Sequence, residues 1–164
     1  MIVVAFFVVV LLGGCGTDTL VENRIEKSIK DATGQKTDVD FGTGGLNMQG
    51  EDGTSIQSGE DVKLPDDFPK DVYVIDGKII VALKNMYGAG YNLSIMSDKS
   101  VEEAKSLYRE KLTADGWKVG LDATIGDIVM FSGQKEKRTV SVSITTDTEN
   151  NKTSVAVTTL EPTE

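Results

Sequence analysis

Without a histidine, and with Cys15 as its single cysteine, this 164-residue chain has few chemistries open to it. It lacks the commonest general base, the commonest transition-metal ligand and any nucleophile triad built on imidazole. One thiol excludes an intramolecular disulfide, a CxxC redox pair and a thiolate zinc cage. Carboxylates and hydroxyls remain. Among 26 acids a pair about 5 to 9.5 Å apart could cleave a glycosidic bond. However, Glu102, Glu103, Glu110 and Asp115 fall on the outward side of an expected helix, and many of the others crowd into an acidic connector. No GxSxG is present, and Ser141 and Ser143 alternate with Val140 and Val142 as on the polar face of a strand. Asp40-Phe41-Gly42 spells the kinase magnesium triplet and Gly42-Thr43-Gly44-Gly45 resembles a phosphate loop, but both lack the helix and lysine those chemistries need. Asp38, Asp40, Glu51 and Asp52 sit on or beside an expected hairpin and offer oxygens to calcium, which takes six to eight of them, although no DxDxDG loop is present.

The elements that must position these groups are read from periodicity and caps. Ser100 and Glu103 form a capping box, Val101, Ala104, Leu107, Tyr108 and Leu112 share one face, and Gly116 lies just beyond, which predicts a helix over 100–115. Ahead of it, Ile79, Val81 and Leu83 alternate, as do Tyr91, Leu93 and Ile95 after a Gly88-Ala89-Gly90 turn. Behind it come Trp117 to Leu121, Ile128 to Phe131, Val140 to Ile144 and Val155 to Val157, four strands separated by turns at 124–127, 134–138 and 147–151. The expectation is an α+β fold with a ββα-ββββ domain, one helix packed on a six-stranded antiparallel sheet. Upstream, Thr19 and Glu22 suggest a capping box opening an amphipathic helix that Thr33-Gly34 stops. Residues 35–50 then form a small hairpin turning at Gly44-Gly45. This helix and hairpin are expected to dock loosely on the larger domain.

Charge is divided unevenly along the chain. The net charge is −9, and residues 18–76 hold 14 acids against six bases while residues 77–164 are nearly balanced. Such a balance argues against binding a nucleic-acid backbone, which needs a basic face to release counterions. Residues 51–71, rich in acids and including Pro65 and Pro69, read as a connector. Two further groups are candidate contacts. Tyr73, Tyr87, Tyr91 and Trp117 are candidates to line an apolar groove between helix and sheet, although Trp117, directly after the helix stop, reads as core, and Lys135, Lys137 and Arg138 gather in one turn that could touch anionic headgroups but reads as a solvated turn.

The N-terminus is the most specific signal. Ile2 to Leu12 is an eleven-residue apolar run, the length of a signal-peptide core and short of a membrane span. Next comes Leu12-Gly13-Gly14-Cys15, which resembles the lipobox of bacterial lipoproteins, an aliphatic residue, two small residues and cysteine. The resemblance implies cleavage before Cys15 and acylation of its thiol, so that the bilayer is the first partner and Cys15 the lipidation site. Gly16 stands where some such proteins carry an aspartate that retains them in the inner membrane. With the phrase Leu64-Pro65-Asp66-Asp67-Phe68-Pro69-Lys70-Asp71-Val72 ahead of the small α+β domain, the whole layout is similar to a group of uncharacterised bacterial lipoproteins.

The expected organisation is therefore a signal peptide (1–14), a lipidated N-terminus with helix and hairpin (15–50), an acidic connector (51–71) and an α+β domain (72–164). The expected role is a lipid-anchored, extracytoplasmic, non-enzymatic binding or accessory module of the cell envelope with no cofactor and a protein partner in that envelope. The alternatives are a carboxylate-based envelope hydrolase and a calcium-responsive module.

Overall fold

The computed structural model describes residues 18–42, 44–85 and 89–162. Helix α1 (Asp18–Thr33) leads into strands β1 (Thr37–Asp40), β2 (Gly45–Gly50), β3 (Ser55–Gly59), β4 (Lys78–Lys84) and β5 (Gly90–Ser97). Helix α2 (Val101–Ala114) then precedes β6 (Lys118–Ile125), β7 (Ile128–Lys135), β8 (Arg138–Asp147) and β9 (Lys152–Leu160). The fold is α+β. All nine described strands belong to one antiparallel sheet in the order β1-β2-β3-β4-β5-β9-β8-β7-β6.

The chain reaches this order through one long crossing. Helix α2 carries it from β5, over one face, to the far edge, and the β6 to β9 meander then works back until β9 closes against β5. Helix α2 is held by the capping box read from sequence. The Ser100 hydroxyl accepts the Glu103 N–H at 3.2 Å, and the Glu103 carboxylate accepts the Ser100 N–H at 2.9 Å. Its buried stripe of Ala104, Tyr108 and Leu112 packs on a sheet face bearing Leu93, Ile95, Val142 and Val157. Gly90, at φ +142°, opens β5 so close to β9 that a Cβ there would run into the Thr159 carbonyl, which only glycine avoids.

Several expectations are corrected. The sheet has nine strands rather than six, because the hairpin and the connector join it. Ser55–Gly59, inside the stretch read as a connector, forms β3 and pairs with both β2 and β4. Its sequence Ser-Ile-Gln-Ser-Gly offers one apolar residue, and all five positions are half-buried, so no alternation marks it. The rest of the connector is anchored as well. Phe68, Val72 and Ile75 are buried in the main core, which makes this segment a strap across the helix-bearing face. In β4 the alternation of Ile79, Val81 and Leu83 does not continue through the strand. The register shifts between Ile79 and Val81, so Ile79 pairs Ile95, Ala82 pairs Leu93, and Val81 and Leu83 face the other way.

Helix α1 also differs in detail. Thr19 lies within it, and Glu22 serves the sheet instead of a cap. The Glu22 carboxylate accepts the Phe41 N–H at 2.8 Å and that of Glu26 accepts the Val39 N–H at 3.0 Å. One helical turn between Glu22 and Glu26 rises about 6 Å and two strand residues about 6.8 Å, so the spacings match. The outer edge of β1, otherwise a row of open donors, is thus sealed by two carboxylates of one helix.

Candidate functional site

On the face that carries α2, the sheet changes character one rung from its end. Ile95 of β5, Val155 of β9 and Ile144 of β8 form a fully buried apolar rung. Two residues further along each strand stand Ser97, Thr153 and Thr146, themselves in register, with Ser97 opposite Thr153 and Thr153 opposite Thr146. At the β6 edge Thr124, opposite Val129, puts one hydroxyl residue at the end of the apolar rung itself, since Val129 pairs Ile144. Here the N-terminal turn of α2 and the β6–β7 and β8–β9 turns enclose a cleft of about 970 Å³.

The lining of this cleft is about half polar and half apolar. Val101 and Val129 are the aliphatic residues of its lining, and Ser100, Thr124, Thr145, Thr146, Thr148 and Thr153 belong to it. Its charges are mixed: Lys99, Lys105 and Lys152 against Asp98, Glu102, Glu103 and Asp127. Lys152 is paired with Asp98, and Lys105 reaches Asp122 at 3.8 Å. Ser97 is satisfied, donating to the Asp76 carbonyl at 2.7 Å and accepting the Lys99 N–H at 3.3 Å. Thr153 is only 5% exposed, yet its hydroxyl meets no hydrogen-bond partner among the described residues. Among those residues the side-chain oxygen that is both unpartnered and fully sealed is Glu161 Oε1, so the Thr153 hydroxyl opens onto the cleft.

The structure distributes the residues nominated from sequence over several environments. Cys15 and the run before it, Tyr87, and Thr43 with the motif it completes lie outside the described residues. Trp117 is in the core, its indole N–H donating to the Asp71 carbonyl at 2.6 Å. Tyr91 is buried edge-on against Phe68, and half-buried Tyr73 meets Tyr108 the same way. These rings do not line an open groove, because the strap and the α2 stripe fill the space between helix and sheet.

The basic turn is largely committed. Lys135 Nζ donates to Asp71 Oδ2 at 2.7 Å and to the Asp115 carbonyl at 2.8 Å, and Arg138 bonds both Asp71 oxygens and Glu161. Of the three cations only Lys137 stays exposed and outside this network. Lys135 also closes a Ser132-Gly133-Gln134-Lys135 stretch with SxxK spacing, but on a strand. There Ser132 Oγ accepts the Leu121 N–H at 3.1 Å and the lysine is held elsewhere, so no serine nucleophile is assembled.

For the acids, Asp38 and Asp40 stand on β1 opposite Gln49 and Asn47, while Asp52 turns back to accept the Thr54 N–H at 2.9 Å. Among the described residues, no three His, Cys, Asp or Glu side chains gather as a metal site. The perturbed carboxyls are all pushed below their usual range. The Thr54 N–H does this for Asp52, Lys84 for Asp67, the Ser100 N–H for Glu103 and the Asn150 side chain for Asp147. Burial raises Asp71, but Lys135 and Arg138 outweigh it. General-acid work on a glycosidic bond needs a carboxyl shifted the other way.

Sequence reasoning missed the cleft. Threonine at the end of a strand reads as ordinary β-propensity, and only the register shows that three neighbouring strands change from apolar to hydroxyl at one rung. Residues 81–161, which run from within β4 through β9 and include α2 and the whole hydroxyl row, match a family model described as START domain-like. No curated protein and no solved structure matches the chain. The chain is therefore similar to a START domain-like family over the stretch that builds the cleft.

Proposed function

We propose that this protein is a lipid-anchored, extracytoplasmic binding module of the bacterial cell envelope, held by acyl chains on Cys15 and without catalytic activity of its own. The observation that carries the reading is the sequence Leu12-Gly13-Gly14-Cys15 directly after eleven apolar residues. The first described residue, Asp18, lies three positions beyond Cys15, so a folded body starts at most about 10 Å of chain from the anchor. No helix among the described residues is long and apolar enough to cross a membrane, and in this reading two or three acyl chains supply the attachment.

The working unit in this proposal is the ββα-ββββ arrangement of β4 to β9 with α2, and the family-model match over 81–161 falls on it. The downward-shifted carboxyls support a binding role over a hydrolytic one. The test is fatty-acid labelling of the full-length chain and of Cys15→Ser in a bacterial host. Label on the wild type alone, with the variant unprocessed, is expected, and absence of label from both removes the anchor from the proposal.

A further inference from the structure

We infer that the cleft at the N-terminal end of α2 binds a neutral, polyhydroxylated ligand, a glycan. The inference deepens the binding-module reading and rests on it only for the source of the glycan, the cell envelope. Its first support is the strand register. Three strands that are apolar at the Ile95–Val155–Ile144 rung carry Ser97, Thr153 and Thr146 at the next helix-facing rung; Ser97 is sealed, while Thr153 and Thr146, with Thr124 from the edge of the apolar rung, line a cleft of about 970 Å³. That is the size of a site for a ligand of a few sugar rings.

A second, independent observation is Thr153. Nearly all of the residue is buried, but its hydroxyl is left without a partner among the described residues, at the wall of the cleft. In the free protein that hydroxyl is reached only by water in the cleft, and a ligand bringing its own hydroxyl takes that water's place.

The class of ligand is reached by elimination among the groups that line the cleft. An anion is disfavoured because the α2 N-terminus is already closed by Ser100 and Glu103, and Asp98, Glu102 and Asp127 share the rim. A cation is disfavoured by Lys99, Lys105 and Lys152 on the same rim. An apolar ligand would find two valines to bury against. Threonine and serine hydroxyls each both donate and accept, which matches the donor–acceptor hydroxyls of a sugar.

The experiment uses the full chain, isotopically labelled, titrated with neutral oligosaccharides of N-acetylglucosamine, of glucose and of mannose. Inorganic phosphate and calcium serve as comparison ligands. At least one sugar series is expected to shift the amides of Thr124, Thr146 and Thr153, and Thr153→Val should weaken its binding about tenfold, the worth of one hydrogen bond. Thr146→Val, on the same rung, is the second variant should the first lose its fold, and is expected to weaken binding in the same direction. The inference is overturned if none of the three sugar series moves these amides, if phosphate or calcium moves them instead, or if both valine variants bind as the wild type does. Because this titration needs no acyl chain, it stands or falls apart from the labelling of Cys15.

Discussion

Trp117 is held by its edge and by one face. Its N–H reaches the Asp71 carbonyl at 2.6 Å, and the Arg138 guanidinium and Lys135 ammonium lie 5.1 and 6.0 Å from the ring centre. Trp117→Phe keeps an aromatic ring and removes the donor, so the Asp71 carbonyl is left short of a partner. The expected loss is about 1 to 3 kcal/mol in urea unfolding. The Asp71 side chain accepts from the same two cations and thereby ties the strap to the β7–β8 turn. Because its folded pKa is lowered from 3.8, its contribution to stability is complete above that value and is lost as the pH falls through the lower folded value. Asp71→Asn should therefore be less stable than the wild type at neutral pH and show a shallower loss below about pH 4. Urea midpoints measured from neutral pH into that acid window check both. If the two proteins lose stability in parallel there, Asp71 is not the group that titrates.

At the scale of elements, the Glu22–Glu26 clasp predicts a local effect. Glu22→Ala with Glu26→Ala frees the Val39 and Phe41 donors and unseals the edge of β1. Hydrogen exchange at those two amides is expected to quicken while β5, β8 and β9 keep their protection, and the opened edge should raise self-association on sedimentation. Unchanged exchange at both amides would mean that the carboxylates do not hold this edge. The features legible in the sequence were those that carry their own local signal. Helix α2 announces itself through Ser100 and Glu103, and β8 and β9 alternate cleanly because one face is buried along the middle of each strand. The features that were not legible depend on partners far along the chain. Strand β3 exists because β2 and β4 flank it, the β4 alternation is reset by a register shift, and Glu22 seals a strand 19 residues away. The hydroxyl row belongs with these, since Ser97, Thr146 and Thr153 become one feature only when β5, β9 and β8 are laid side by side.

For the whole molecule, charge and core divide at the same place. The N-terminal 18–76 stretch carries the acidic excess, while every fully buried apolar residue of the main core cluster comes from Phe68 onward. Between α1 and β3 Val39 alone is buried among the described residues, at 3% exposed. The α1 to β3 portion therefore extends the sheet without supplying its core. Removing residues 18–60 should cost the remaining body on the order of 2 to 3 kcal/mol, the worth of one buried side chain and a weakened ladder, and leave a single cooperative unfolding transition. The shortened chain exposes the β4 edge that β3 had paired, with Val81 and Leu83 beside it, so self-association should rise with concentration. Calorimetry and sedimentation of the shortened chain measure both outcomes. A truncated protein with no cooperative transition would mean that the core needs the β1–β3 ladder after all, and the glycan cleft would then have to be studied only in the complete chain.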